Sequence, residues 1–274
     1  MRLAGKPRFW FLVSGFWLAC PAFGQPTIED TIRRLQQFRD PEPPVVEMRV
    51  SPEIATLHRQ LKHELRDFII DALNRGADVQ AELTHAGVHI ASKEGNRPYG
   101  QLHNVIVDWK PNGLSAWVAF TTTLGVKCGE DSSLYLLQRA GDAWQLRLAM
   151  ESNMRLGIDS AHGYFQYAVS RAGPGGHFFV VGANVNPWCS SNWQQLRFEA
   201  FTMDASGTPS KVLSKSSDIF LGDYPPPYKL TVQKHVFTLE INGGGPSGES
   251  RTHVISYSVE GNSAKRVAPI VLKP

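Results

Sequence analysis

Residues 103–150 read HNVIVDWKPNGLSAWVAFTTTLGVKCGEDSSLYLLQRAGDAWQLRLAM, and the fold is decided here. The stretch holds four short runs rich in Val, Leu, Phe, Tyr and Trp: His103–Trp109, Ala116–Thr122, Leu134–Arg139 and Trp144–Met150. Gly, Pro, Asn and Asp separate them. Runs of this length bounded by turn residues predict β-strands joined as hairpins. The first two pair with each other, the polar segment GVKCGEDSS (125–133) is expected to form a loop, and the last two close through Ala140-Gly141-Asp142.

The same design recurs twice downstream. A second unit pairs Tyr164–Ser170 with His177–Gly182, crosses ANVNPWCSSNW (183–193), and pairs Leu196–Met203 with Lys211–Ser216. A third pairs Lys229–Gln233 with Val236–Ile241, crosses NGGGPSGES (242–250), and pairs His253–Val259 with Lys265–Val271. Each unit is entered through a tyrosine, Tyr99, Tyr164 or Tyr228, at spacings of 65 and 64 residues. A fixed period carrying four strands each time is the signature of a repeat architecture. The expected fold is therefore mainly β. A helical N-terminal segment precedes three four-stranded antiparallel meander units of about 64 residues, at 95–151, 152–217 and 218–272. Closed propellers use about four to eight blades, so three units point to a propeller-like or multi-sheet assembly; the alternative is one large β-sandwich.

Upstream of the strands the apolar spacing changes to that of a helix. Thr27 to Phe38 predicts a short helix with Thr27 as cap and Asp30 completing a capping box. Pro41-Glu42-Pro43-Pro44 lies in a stiff linker over 41–46. Ser51-Pro52 opens a longer helix whose Ile54, Leu57, Leu61, Leu65, Phe68, Ile69 and Leu73 share a face, and Gly76 closes it. Asp78–Ala86 reads as one more helical piece, ended by Gly87.

Residues 1–24 carry the pattern of a secretory signal. Arg2, Lys6 and Arg8 precede the apolar run FWFLVSGFWLA (9–19), and Ala22-Phe23-Gly24 offers a cleavage site before Gln25. An apolar run of that length is short of the roughly 20 residues a membrane-spanning helix needs, so no transmembrane span is expected after cleavage. A second reading lipidates Cys20, although Trp17 stands where a compact aliphatic residue is expected. The expected location is periplasmic or extracellular.

Charge supports the same division. The 274 residues contain 28 Lys+Arg and 25 Asp+Glu, a net charge of +3. Arg2, Lys6 and Arg8 account for that excess, and residues 1–24 hold no acid, so the remainder carries 25 of each sign. Such a balance lacks the basic stripe of a nucleic-acid binder. With 42% hydrophobic residues the chain can bury a core. Outside residues 1–24 only Cys128 and Cys189 remain, in matching positions of units one and two and 61 residues apart. In an exported chain this predicts a disulfide, worth up to roughly 4 kcal/mol for a loop of that length.

Catalytic signatures are sparse. His85 and His89 lack the H-E-x-x-H pattern of a zincin, as do His63-Glu64 with Asp67, and no metal or other cofactor is expected. There is no G-x-S-x-G elbow, and the glycine-rich run 243–248 lacks the Lys-Ser/Thr of a phosphate loop. One constellation survives, and only through the repeat. In a four-stranded meander the second-to-third-strand loops and the inter-unit linkers emerge at one end, gathering Glu130, Asp131, Asp159, Trp188, Trp193, Asp223 and Glu249. Indole faces with carboxylates suit a glycan or a cationic ligand, and two carboxylates suit glycoside cleavage. The leading expectation is an exported, non-catalytic module binding a ligand or protein of the envelope or extracellular space. The alternative is a secreted carboxylate-dependent hydrolase resembling a glycoside hydrolase in its chemistry.

Overall fold

The computed structural model describes residues 27–38, 50–90, 99–154, 160–187, 193–220, 226–244 and 250–268. Three helices come first: α1 (Ile28–Leu35), α2 (Pro52–Asn74) and α3 (Val79–His85). Their ends follow the predicted local chemistry. Thr27 and Asp30 form the reciprocal capping box of α1, the Ser51 hydroxyl accepts from the Ile54 N–H at the start of α2, and Asp78 accepts from the Ala81 N–H at the start of α3. Gly76 follows α2 with φ of +67°, the left-handed conformation that terminates a helix.

Twelve strands then form three four-stranded antiparallel sheets in simple meander order. The first sheet contains β1 (Leu102–Trp109), β2 (Trp117–Val126), β3 (Gly129–Ala140) and β4 (Ala143–Met150). The second contains β5 (Tyr164–Val169), β6 (Phe178–Val185), β7 (Trp193–Met203) and β8 (Pro209–Phe220). The third contains β9 (Tyr228–Gln233), β10 (Val236–Gly244), β11 (Ser250–Glu260) and β12 (Ser263–Val267). No barrel closes. Among the described residues no helix is long and apolar enough to cross a membrane.

Side-chain alternation stacks these elements in layers. On β2, Val118 and Phe120 face the helices, packing near Leu61, Leu65 and Ile69, while Trp117 and Ala119 face the second sheet with Phe178 and Val180. On β6, Phe178 and Val180 face the first sheet, whereas Phe179, Val181 and Ala183 face the third sheet with Phe237 and Leu239. Successive strand residues point to opposite faces, so a strand covered on both faces must be apolar throughout. Strand β6 is buried at all eight positions. The third sheet covers only one face: Phe237 and Leu239 turn inward, while Thr238 is part-exposed and Glu240 is exposed.

One strand pairing departs from the expected layout. The segment GVKCGEDSS is not a loop, because β2 continues to Val126, β3 begins at Gly129, and Lys127-Cys128 make a tight turn with Cys128 at φ of +63°. Gly125 pairs with Glu130 and Leu124 with Asp131. Polar residues are poor strand formers in isolation; here they are held by partners from α2 and from the entry to the second unit.

The repeated entry motifs mark real junctions, though not equivalent ones. Tyr164 and Tyr228 each open the first strand of their unit, whereas Tyr99 lies three residues before β1. Gly163 packs against the chain between β6 and β7, where a Cβ would come 2.6 Å from the Val185 carbonyl oxygen. Tyr228 is fully buried. Its hydroxyl lies 3.0 Å from the Tyr164 carbonyl and 2.5 Å from the Ala183 carbonyl, and it accepts from the Gln166 N–H at 3.1 Å. Gln166 answers by accepting from the Leu230 N–H through Oε1 at 2.8 Å. Replacing Tyr228 with phenylalanine leaves these buried groups without their partner, and urea unfolding of that variant is expected to show a loss of about 1–3 kcal/mol.

Candidate ligand-binding cleft

The helix layer meets the first sheet through a polar seam. His58, Lys62 and Arg66 recur every four residues along α2, a rise of about 6 Å per step. Asp131, Ser133 and Tyr135 recur every two residues along β3, about 6.7 Å per step, so the two ladders stay in register. At their junction Lys62 Nζ lies 2.5 Å from Asp131 Oδ2, with both side chains essentially inaccessible. Lys62 also donates to the Ser152 carbonyl and hydroxyl oxygens, both at 3.0 Å. The carboxylate accepts from the Ser152 hydroxyl at 2.7 Å and, through Oδ1, from the His162 N–H at 2.8 Å. His58 Nδ1 stands 3.6 Å from Oδ2, and its Nε2 is buried without a hydrogen-bond partner.

Burial alone would raise the Asp131 pKa, but Lys62, His58 and His162 outweigh it and hold the carboxyl below the usual range. Burial lowers His58 to about 4 against the pull of Asp131, with Lys62 adding to the fall. At neutral pH the ion pair is therefore Lys62 with Asp131, and His58 beside it is neutral. Every donor of the ammonium is engaged. The cluster joins α2, β3, the segment after β4 and the entry to the second sheet, and its role is that of a clasp.

These positions correct the expectation for Asp131, which is fully buried and cannot present a carboxylate to a ligand. Its neighbour Glu130 points the other way, as strand alternation requires, with Oε1 3.1 Å from His103 Nδ1. Trp193 opens β7, is 58% exposed and meets Phe220 edge-on at 5.3 Å. Asp159, Trp188, Asp223 and Glu249 lie outside the described residues. Cys128 is disulfide-bonded; its expected partner Cys189 also lies outside them. The turn carrying Cys128 touches the chain leading to Cys189, since a Cβ on Gly129 would sit 3.1 Å from the Pro187 Cβ.

The open site lies at the other end of the sheets. A cleft of about 1200 Å3 is lined by the hairpin connections of the second and third sheets, 170–177, 202–210, 232–235 and 259–262, together with Asn112 from the first. Its floor is apolar, formed by Phe178, Phe179, Met203 and Val259, all well buried. Its rim is cationic and polar, with Arg171 and Lys234 exposed beside His177 and His235. Asp204 is the one carboxylate among the described lining residues, and its Oδ1 accepts from the Ser206 hydroxyl at 2.6 Å and the Thr208 N–H at 2.8 Å. Those bonds, the Ser206 hydroxyl foremost, lower its pKa and hold the carboxylate against its own turn.

No family model and no curated protein matches this chain. Solved structures with some similarity include the α-L-arabinofuranosidase PaAbf62A from Podospora anserina in complex with cellotriose. That match has 10% identity and a TM-score of 0.19, and covers 62% of this chain and 67% of that one. The catalytic domain of the Coprinopsis cinerea GH62 α-L-arabinofuranosidase matches at 11% identity and a TM-score of 0.18, over 66% of this chain and 72% of that one. A GH62 hydrolase in complex with xylotriose matches at 9% identity and a TM-score of 0.19, over the same shares of 66% and 72%. Scores this low carry no weight for fold or chemistry, and the cleft is read from its own residues.

The residues of that cleft carry little sequence signal. GPGGH (173–177), DASGT (204–208), KH (234–235) and EGN (260–262) read as turns and nothing more. Two lining residues that carry side chains have positive φ, Asn112 at +49° and Lys234 at +51°; asparagine tolerates that region, and lysine does not. Lys234 occupies the first position of a two-residue hairpin turn, where glycine is the usual choice.

Proposed function

We propose that the protein is an exported, non-catalytic binding module that holds a small ligand in the cleft between its second and third sheets. The observation that carries this reading is the cleft itself, with its large volume, buried apolar floor and ring of polar groups on hairpin turns. Such a combination is typical of ligand sites. A disulfide at Cys128 fits an oxidising compartment, in keeping with the signal-like residues 1–24. Acid/base cleavage of a glycoside needs two carboxylates about 5–10 Å apart, and the described lining supplies only Asp204.

Two measurements test this. Material recovered from outside the cytoplasm is expected to begin at Gln25; retention of the intact N-terminus in the cytoplasm removes the export part. The neutral fluorophore N-phenyl-1-naphthylamine is expected to bind saturably at one equivalent. Val232→Glu, which adds a carboxylate to the half-buried cleft wall, should weaken that binding at least tenfold, about 1.4 kcal/mol, in protein whose circular dichroism remains that of the folded chain. Absence of saturable binding, or binding indifferent to Val232→Glu, removes the cleft part.

A further inference from the structure

We infer that the cleft is built for an amphipathic anion, an apolar body bearing a carboxylate, sulfonate or phosphate, with Arg171 and Lys234 reading the charge. The inference rests on the proposed binding function and narrows its ligand class. Arg171 comes from the connection between β5 and β6, and Lys234 from the turn between β9 and β10, so the two cations approach one opening from two sheets. Neither has an ion-pair partner among the described residues, whereas the cleft's carboxylate, Asp204, is already bound within its own turn. The opening therefore carries two cations against one carboxylate, a net positive charge, above a floor that includes Phe178 and Met203. A hydrophilic ion would leave that floor unused, and a neutral apolar molecule would leave both cations unused. A ligand with one end of each kind uses both.

Lys234 adds a second, independent observation. A non-glycine residue in the left-handed region costs about 1–2 kcal/mol, and nothing in the local fold requires a lysine at that turn. Glycine there relieves the strain, so the turn keeps its shape without the ammonium. The strained residue sits on the rim of the cleft, where its side chain is available to a ligand.

The test compares two probes with the same anilinonaphthalene body, neutral N-phenyl-1-naphthylamine and anionic 8-anilinonaphthalene-1-sulfonate. The anion is expected to bind about tenfold tighter, the effect of two partly exposed cations, with the margin shrinking as salt is raised. In the double variant Arg171→Gln/Lys234→Gly the two affinities should fall within about twofold of each other, with Tm held or raised. Dodecanoate and dodecyl phosphate should displace the sulfonate probe at concentrations where acetate and inorganic phosphate do not. Their relative strength tells a carboxylate from a phosphate ligand. Equal affinities for both probes in the unmodified protein, a preference that survives the double variant, or equal displacement by the small ions each overturns this inference while leaving the binding function standing. Failure of the neutral probe to bind at all removes the binding function itself.

Discussion

Lys62→Met is expected to lower the unfolding free energy by about 3–5 kcal/mol, measured by urea denaturation at pH 7. Methionine fills most of the volume of the lysine stem, so lost packing contributes little. The cost arises because Asp131 then sits uncompensated in a site from which water is excluded, with Lys62 Nζ no longer 2.5 Å away. Burial by itself favours its protonated form, and the variant should take up a proton there at a pH where the unmodified protein does not. Asp131→Asn/Lys62→Met is expected to recover part of the loss, because no bare charge remains and the amide oxygen can still accept from Ser152 or from the His162 N–H. If Lys62→Met costs under 1 kcal/mol, comparable to an exposed surface pair, the clasp is not a structural element.

Acid should destabilise the fold well above the pH at which carboxylates ordinarily titrate. His58 has its pKa lowered from 6.5 to about 4 in the folded chain. Between those values the unfolded chain binds a proton that the folded chain does not, so stability falls as pH falls. This contribution is fully present above about pH 6.5 and is lost progressively down to about pH 4, about 3 kcal/mol in all. His162, lowered chiefly by burial, contributes with the same sign. Asp131, whose folded pKa lies below that of the unfolded chain, adds a further loss at lower pH. The expected measurement is a decline in Tm between pH 6.5 and 4 that becomes shallower in His58→Leu. An unchanged slope in that variant would locate the acid sensitivity elsewhere.

The general build of the molecule is legible in the sequence because it depends on local chemistry. The Thr27, Ser51 and Asp78 caps, the stop at Gly76 and the three meander units each follow from neighbouring residues. Where the reading fails, partners are distant. GVKCGEDSS has the composition of a loop, yet Asp131 is a strand residue because it meets Lys62 on α2 and His162 beyond β4. Lys62 sits within a helix whose apolar stripe suggests that lysines face water, and its burial depends on that same partner. The cleft is less legible still. Its lining comes from separate turns, and the space between two sheets follows from how they pack rather than from any one segment. Lys234 stands out as a lysine at a position favouring glycine only once the hairpin register is known.

The layered stack also sets a lower limit on what can be removed. Strand β6 has no solvent face, and Phe179, Val181 and Ala183 are covered only by the third sheet. Helices cap one end of the stack, and the third sheet, with polar Thr238, Ser258 and Glu260 on the outer face of its central strands, caps the other. In repeat proteins the terminal units keep the inner ones soluble by presenting a polar outer side. A chain ending after the second unit would therefore expose an apolar sheet face with no partner of its own, the type of surface that drives aggregation. Evolution can vary the hairpin turns around the cleft with comparative freedom, but it cannot dispense with the last sheet without also losing solubility.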